Sequence, residues 1–175
     1  MRLALVGLPG SGKSTVGRRL ARRLDVSFSD SDHVIEQRIG CRIRDFFEHE
    51  GEAAFRDVEE EAISDLVSQD VGVIATGGGA VLRPANRSRL RAARHVIYLR
   101  STPEEIFKRL RHDSHRPLLQ VADPLGRMRS LYQERDPLYR ETSHFIIETG
   151  RPSVAILVNK IMMQLELSGA LAQRP

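Results

Sequence analysis

Cysteine is nearly absent from this chain of 175 residues, in which Cys41 is the only one. A single thiol excludes an intramolecular disulfide, so we expect a reducing compartment and a packing role for Cys41. No apolar run approaches the length of a membrane span, and the first run is too short for the core of a secretory signal. These absences predict a cytoplasmic protein with no membrane partner.

Aromatic residues are also few, at 5% of the sequence, and 23 acidic residues are interspersed among 27 basic ones. The net charge of +4 has the sign that nucleic-acid binding requires, but no aromatic residues alternate with the basic ones to stack on bases. The densest basic cluster, Arg18, Arg19, Arg22 and Arg23, lies opposite an apolar helical stripe and is predicted to face solvent. We therefore expect no nucleic-acid partner.

Lysine is scarce, yet Lys13 lies in the segment GLPGSGKS, residues 7–14, which matches the glycine, four residues, glycine, lysine and hydroxyl pattern of a phosphate-binding loop. An apolar run precedes the segment and apolar residues at helical spacing follow it, so strand, loop and helix occur in the required order. Backbone N–H groups and the N-terminus of the new helix would bind phosphates. The alternative, a glycine-rich turn without a ligand, is disfavoured by these flanks. The predicted ATP-binding residues of the loop are Gly10, Ser11, Gly12, Lys13, Ser14 and Thr15.

Five apolar runs alternate with longer helical patterns along the chain, which is typical of an α/β fold with a parallel sheet. The runs are residues 3–6, 26–28, 71–75, 96–99 and 145–147. No linker or repeat interrupts them, so we predict a single domain over residues 1–175. A polar stretch predicts a lid over about residues 110–123.

Two aspartates follow the second apolar run, where the carboxyl end of a strand would meet the phosphate loop. Because Asp30 and Asp32 are two residues apart, their side chains would share one side of an extended chain. Such a pair can serve both a metal and a proton, and we predict that Asp30 supports Mg²⁺ together with Ser14. Asp32 also precedes a helical pattern, so helix capping is an alternative or additional role.

Glycines and arginines complete the predicted acceptor site. Gly77, Gly78 and Gly79 follow the third run and offer bare backbone that a ligand can approach closely, although a flexible turn is the simpler interpretation. Arg56 adjoins an apolar stripe, and a helical pair with Glu60 would also explain it. Arg135 continues an apolar stripe, where a guanidinium group needs an anionic partner. Together the two arginines predict an anionic acceptor substrate.

With these residues assembled, the sequence resembles the shikimate kinase family from Gly7 to about Pro152. The shared motifs, in the order and approximate spacing of the family, are the phosphate loop, Asp30-Ser31-Asp32, Phe55-Arg56, Gly77-Gly78-Gly79, Arg116-Pro117-Leu118-Leu119 and Glu134-Arg135-Asp136-Pro137-Leu138-Tyr139. The resemblance implies the three-layer fold of nucleoside monophosphate kinases, a five-stranded parallel sheet flanked by helices. A substrate-binding helical segment of about residues 31–62 and a lid would be added to it.

The resemblance also implies the reaction, transfer of the ATP γ-phosphate to the 3-hydroxyl of shikimate in aromatic amino-acid synthesis. Asp32, Arg56, Gly78 and Arg135 would hold shikimate, with Gly77 and Gly79 beside them. Arg109 and the turn Arg151-Pro152 would flank adenine. Lys13, Asp32 and Arg116 are the predicted catalytic residues, because phosphoryl transfer depends on positioning and on neutralising charge. Mg²⁺ is the expected cofactor, ATP and shikimate the substrates, and a monomer the expected state.

Two alternatives remain at this point. The first is a small-molecule kinase for another acceptor, such as gluconate or a nucleoside monophosphate. The second is a nucleotide-switch binding protein of the small GTPase kind. Guanine recognition there resembles Asn-Lys-x-Asp, and the nearest match, Asn159-Lys160-Ile161-Met162, lacks the aspartate and lies in a helical pattern.

Overall fold

In the computed structural model, residues 1–70, 72–111, 120–150 and 153–171 are described. The strands in these ranges are β1 (Leu3–Val6), β2 (Phe28–Asp30), β3 (Val73–Ala75), β4 (His95–Arg100) and β5 (Phe145–Glu148). The helices are α1 (Lys13–Leu24), α2 (Ser31–Ile39), α3 (Ile43–Ser68), α4 (Pro84–Ala93), α5 (Pro103–Leu110), α6 (Pro124–Thr142) and α7 (Val154–Leu167). A short 3₁₀ helix, Ala80–Leu82, follows β3.

The five strands form one sheet in the order β2-β3-β1-β4-β5, and every described pairing is parallel. This confirms the predicted five-stranded parallel sheet. All four residues of β1 are buried at its centre, as expected for an uninterrupted apolar run with helices on both faces. Parallel strands end at the same edge, so the phosphate loop, Asp30 and the glycine triplet are neighbours there.

Alternate residues of β1 pack into separate cores on the two faces of the sheet. Leu3 and Leu5 pack with α1 and α7, whereas Ala4 and Val6 pack with side chains of α3, α4 and α6. A smaller third cluster joins α2 to α3 around Phe55. The three layers therefore match the predicted architecture, and α2 with most of α3 occupies the predicted substrate-binding segment.

Several local predictions differ from the structure. The second strand begins two residues later than the run 26–28, because that run follows directly on the turn that ends α1, so that Asp30 is its last residue. Gly51, at φ 85°, interrupts α3. Cys41 is exposed, so its predicted packing role is wrong: it lies beside Gly40, in the turn between α2 and α3. Residues 112–119, most of the predicted lid, lie outside the described ranges.

Two helices in the second half of the chain follow from local sequence patterns. Helix α6 begins at Pro124, and Oδ1 of Asp123 caps it by accepting a hydrogen bond from the N–H of Gly126 at 3.0 Å. Apolar residues at helical spacing near the end of the chain, Ile156, Ile161 and Leu165, lie in α7. Within the described ranges, none of the helices combines the length and apolar character that crossing a bilayer requires.

Candidate active site

The phosphate loop joins the buried strand β1 to helix α1. Gly10 and Gly12 have φ values of 81° and 92°, a left-handed conformation that side chains rarely adopt. Gly12 is the N-cap of α1 and supplies no side-chain cap, so no side chain of the cap residue covers the first N–H groups of the helix. The sequence therefore produces a curled loop ahead of a helix N-terminus, which is the arrangement that binds phosphate.

Lys13 curls back over this loop. Its Nζ donates hydrogen bonds to the carbonyl oxygens of Gly7 and Leu8, both at 2.8 Å, and the residue is buried. The ammonium therefore lies at the phosphate loop, and its contact with phosphate remains a prediction. It also stabilises the conformation of the loop, which the motif alone does not reveal.

Ser14 and Asp30 meet between the loop and the second strand. The Ser14 hydroxyl donates a short hydrogen bond to Oδ2 of Asp30. Oδ1 of Asp30 accepts from the N–H of Asp32 at 3.0 Å and caps α2. Capping by Asp32 is therefore wrong: because β2 extends to residue 30, Asp30 takes the N-cap position and Asp32 falls in the first turn.

The oxygens of Ser14 and Asp30 are of the kind that Mg²⁺ prefers. In the described part of the chain, no group of three or more histidine, cysteine or acidic side chains could hold a metal. Mg²⁺ in phosphate-transfer enzymes is usually bound by one or two carboxylates plus substrate phosphates and water. One hydroxyl and one carboxylate beside the phosphate loop fit that mode of binding.

Asp32 faces the glycine triplet from α2. A Cβ at Gly77 would lie 2.5 Å from Oδ1 of Asp32. Burial, with the neighbouring carboxylates of Asp30 and Glu59, raises the pKa of Asp32 to about 6. A carboxylate with a pKa this close to neutrality can hold a hydroxyl group and accept its proton.

Arg56 enters the same site from α3. Its Nη1 lies 2.7 Å from Oε1 of Glu59, and its guanidinium lies 5.1 Å from the ring centroid of Phe55. Nε of Arg56 is buried and has no hydrogen-bond partner among the described residues. The alternative explanation of Arg56, a helical pair with Glu60, is wrong, because Glu60 lies on the other flank of the helix and binds Arg83 and Arg89.

Glu59 is a site residue that the sequence interpretation missed. It is only 1% exposed, and its pKa is raised by burial, an effect that Arg56 and, more weakly, Arg135 oppose. Its run of three glutamates suggests a solvated face. The apolar stripe of α3 predicts burial of Glu59 instead, because this residue lies four positions after Phe55 and three before Ala62, both of which are buried.

The glycine triplet forms the centre of the site for a steric reason. A Cβ at Gly78 would lie 2.6 Å from Cδ of Pro9 in the phosphate loop, and one at Gly79 would collide with the guanidinium of Arg56. None of the three glycines has a left-handed φ. Glycine is needed here because the phosphate loop, Asp32 and Arg56 all pack against this turn.

Arg135 lies on α6 beside the hydroxyl of Tyr139, which contacts the turn at Gly78. Nε of Arg135 is buried without a hydrogen-bond partner in the described ranges, as for Arg56. Burial raises the pKa of Tyr139, and the Arg135 guanidinium beside its hydroxyl opposes that rise. The structure thus brings both predicted arginines close to Glu59, with buried donors that an anionic ligand can satisfy.

Two cavities flank the phosphate loop. The larger, of about 750 Å³, lies between the loop and α7 and is lined in part by Arg109, Thr149 and Leu157. The smaller, of about 290 Å³, includes Lys13 and Asp32 in its lining. Both volumes are within or close to the usual range for small-molecule pockets in proteins.

Arg109 braces the larger cavity. Its Nη1 donates to the carbonyl oxygen of Gly10 at 3.3 Å, and its Nη2 donates to Oγ1 of Thr149 at 3.1 Å. The predicted residues Arg116, Arg151 and Pro152 lie outside the described ranges.

Known proteins resemble this chain along nearly its whole length. A family model described as shikimate kinase matches residues 9–166. A shikimate kinase from Paracidovorax citrulli is 62% identical over 97% of this chain and 94% of its own length. One from Burkholderia lata is 58% identical, over 96% and 91% respectively. The solved structure of an Acinetobacter baumannii shikimate kinase in complex with shikimate has a TM-score of 0.89 and 45% identity, and covers 96% of this chain and 93% of its own.

Proposed function

This chain belongs to the shikimate kinase family, and we propose that it is an ATP:shikimate 3-phosphotransferase, which transfers the γ-phosphate of ATP to the 3-hydroxyl of shikimate. One observation supports this most directly. Asp32, Arg56 and Arg135 converge on the turn 77–79, which packs against the phosphate loop. An acceptor held there is placed beside the phosphate that it receives.

The phosphate loop binds ATP through residues 10–15. The first N–H groups of α1 and the Lys13 ammonium would contact the β- and γ-phosphates. The adenosine would occupy the larger cavity, where Arg109 already connects the loop to Thr149. Arg151 and Pro152 remain predicted adenine contacts.

The two arginines bind the carboxylate of shikimate. Each has a buried Nε without a partner in the described chain, and burying such a donor is unfavourable unless a ligand satisfies it. Glu59 already balances part of their positive charge. An anionic group would complete the set, whereas a neutral acceptor would leave the donors unsatisfied.

Asp32 orients the attacking hydroxyl. With a pKa of about 6, it is mostly ionised at neutral pH and can accept a hydrogen bond from a hydroxyl group. A loose transition state needs little proton removal before the bond to the leaving oxygen breaks. The principal role of Asp32 is therefore orientation, and proton transfer to it can follow later in the reaction.

Ser14 and Asp30 would hold Mg²⁺ with the phosphate oxygens. When bound, the ion neutralises charge on the β- and γ-phosphates. In the protein itself, the hydrogen bond between Ser14 and Asp30 keeps the two oxygens together. Arg116 remains a predicted second source of positive charge at the transferred group, in addition to Lys13.

A coupled assay of ADP release over a panel of acceptors tests the proposal. Shikimate, gluconate and nucleoside monophosphates are supplied at equal concentrations with Mg²⁺ and ATP. We expect turnover with shikimate and with none of the other acceptors. Turnover with another acceptor and none with shikimate would overturn the assignment.

A thermal-shift comparison of ATP with GTP separates a kinase from a nucleotide switch. We expect stabilisation by ATP, because ligand that binds only the folded state raises the melting temperature. A larger shift with GTP would favour the switch class.

A further inference from the structure

Tyr139 connects helix α6 to the glycine triplet. Its hydroxyl donates a hydrogen bond of 2.6 Å to the carbonyl oxygen of Gly78, a residue 61 positions earlier in the chain. The side chain is fully buried, and its ring centroid lies 5.0 Å from that of Tyr98. Packing around the ring therefore fixes the position of the Tyr139 hydroxyl against the Gly78 carbonyl oxygen.

Other contacts fix the two ends of the turn but not its middle. The N–H of Gly77 donates to Oγ of Ser31 at 2.9 Å, and the carbonyl oxygen of Gly77 accepts from Ala80. The carbonyl oxygen of Gly79 accepts from Leu82. The Gly78 carbonyl lies between these anchors, and Tyr139 holds it from a separate helix.

Three consecutive glycines make this peptide unusually free to rotate, since no Cβ restricts φ and ψ on either side. In a trans peptide, the carbonyl and the following N–H point in opposite directions. With the Gly78 carbonyl directed at Tyr139, the N–H of Gly79 points away from α6. Among the described residues, no acceptor takes the N–H of Gly78 or of Gly79.

We propose that Tyr139 is a positioning residue for the acceptor site: its hydroxyl fixes the Gly78–Gly79 peptide so that the N–H of Gly79 is presented to substrate. The inference rests on the proposed function, because it assumes that shikimate binds at this turn. Tyr139 touches the backbone of the site rather than the acceptor. Its loss should weaken acceptor binding and leave the nucleotide site intact.

Tyr139→Phe tests this, with Tyr98→Phe as the matched control. Both tyrosines are buried, and each hydroxyl donates one hydrogen bond, Tyr98 to Oδ1 of Asp136 at 2.7 Å. Each variant therefore loses one buried hydroxyl, but only Tyr139→Phe releases the glycine turn. It also removes the contact of that hydroxyl with Arg135, so hydrogen exchange of the turn is needed beside the KM. We expect the KM for shikimate to rise about fivefold in Tyr139→Phe, as for one lost hydrogen bond, and to stay within about twofold in Tyr98→Phe.

The KM for ATP should change by less than about twofold in both variants, which also shows that they are folded. Hydrogen exchange of the backbone amides at residues 77–82 is a second measurement, and it should accelerate in Tyr139→Phe alone. An unchanged shikimate KM in Tyr139→Phe, or the same change in both variants, would overturn the inference. If the wild type failed to phosphorylate shikimate in this assay, the proposed function would fail instead.

Discussion

Nη1 of Arg56 lies 2.7 Å from Oε1 of Glu59, so the guanidinium predicted to bind substrate already has a buried carboxylate partner. The side chain of Glu59 is 2% exposed and that of Arg56 is 12% exposed. A buried charge without a partner is strongly unfavourable, so Glu59 keeps the acceptor site foldable before substrate binds. Arg135, which also opposes the raised pKa of Glu59, completes the cluster, while Glu52 pairs with Arg56 at 3.4 Å from the exposed side.

Replacing Arg56 or Arg135 with alanine should weaken shikimate binding by roughly 2–5 kcal/mol, the usual loss for one partner of a buried charge pair. ATP affinity should change little, because the described polar partners of Arg56 are Glu52 and Glu59 and that of Arg135 is Tyr139, none of them in the phosphate loop. Titration calorimetry with each ligand separately gives both values.

Arg83→Ala is the matched control for this pair, since Arg83 binds Asp57 and Glu60 on the exposed flank of α3. Its loss should change shikimate binding by less than about 0.5 kcal/mol. Equal loss of both ligands in Arg56→Ala would indicate misfolding rather than a lost carboxylate contact.

Asp32→Asn should stabilise the protein at neutral pH while it reduces turnover. The pKa of Asp32 rises from 3.8 to about 6 on folding, so the stability linked to this group is present below pH 3.8 and lost as the pH rises through 6. At pH 7 the ionised side chain lowers the free energy of unfolding, by up to about 3 kcal/mol. Urea unfolding should show that Asp32→Asn raises the free energy of unfolding at pH 7.5, and that this increase is smaller at pH 5. No gain at pH 7.5 would contradict the raised pKa.

The pH dependence of kcat/KM for shikimate should follow the same carboxyl. Because ionised Asp32 accepts the hydrogen bond of the hydroxyl, kcat/KM should fall as the pH decreases through about 6. The profile is measured in the coupled assay, with kcat/KM for ATP as the internal comparison. A shikimate profile that stays flat down to pH 5 would remove Asp32 from the acceptor-binding role.

Lys13→Ala should abolish detectable turnover and also lower stability. The ammonium donates to the carbonyl oxygens of Gly7 and Leu8, so its loss leaves buried acceptors unsatisfied, at about 1–3 kcal/mol. Lys13→Arg should also abolish turnover, because a planar guanidinium group does not reproduce the compact ammonium of lysine. Lys160→Ala, at an exposed position of α7, is the control and should behave as wild type. Near-normal activity in either Lys13 variant would contradict the assigned role.

Arg116→Ala should lower kcat far more than it raises either KM, by on the order of 10³-fold, as for other arginines that neutralise a transferred phosphoryl group. A solvated loop charge would change the reaction by less than about 0.5 kcal/mol. Single-turnover kinetics with saturating ATP, Mg²⁺ and shikimate distinguish the two. A chemical step as fast as that of the wild type would exclude a catalytic role for Arg116.

The sequence by itself determined the features that depend on neighbours along the chain. The phosphate loop could be predicted because its glycines, Lys13 and Ser14 all fall within the eight residues 7–14. The strand before it and the helix after it also have distinct apolar periods. The parallel sheet followed from the same alternation of patterns. The capping of α6 by Asp123 is likewise a local property.

Only the tertiary structure decided which distant side chains meet at the turn. Arg56 pairs with Glu59 rather than Glu60 because one flank of α3 faces the site and the other faces Arg83. The hydrogen bond of Tyr139 to Gly78 spans 61 residues, and no periodicity within either segment encodes it. Such contacts depend on how the helices pack on the sheet, which is a property of the whole core rather than of any one segment.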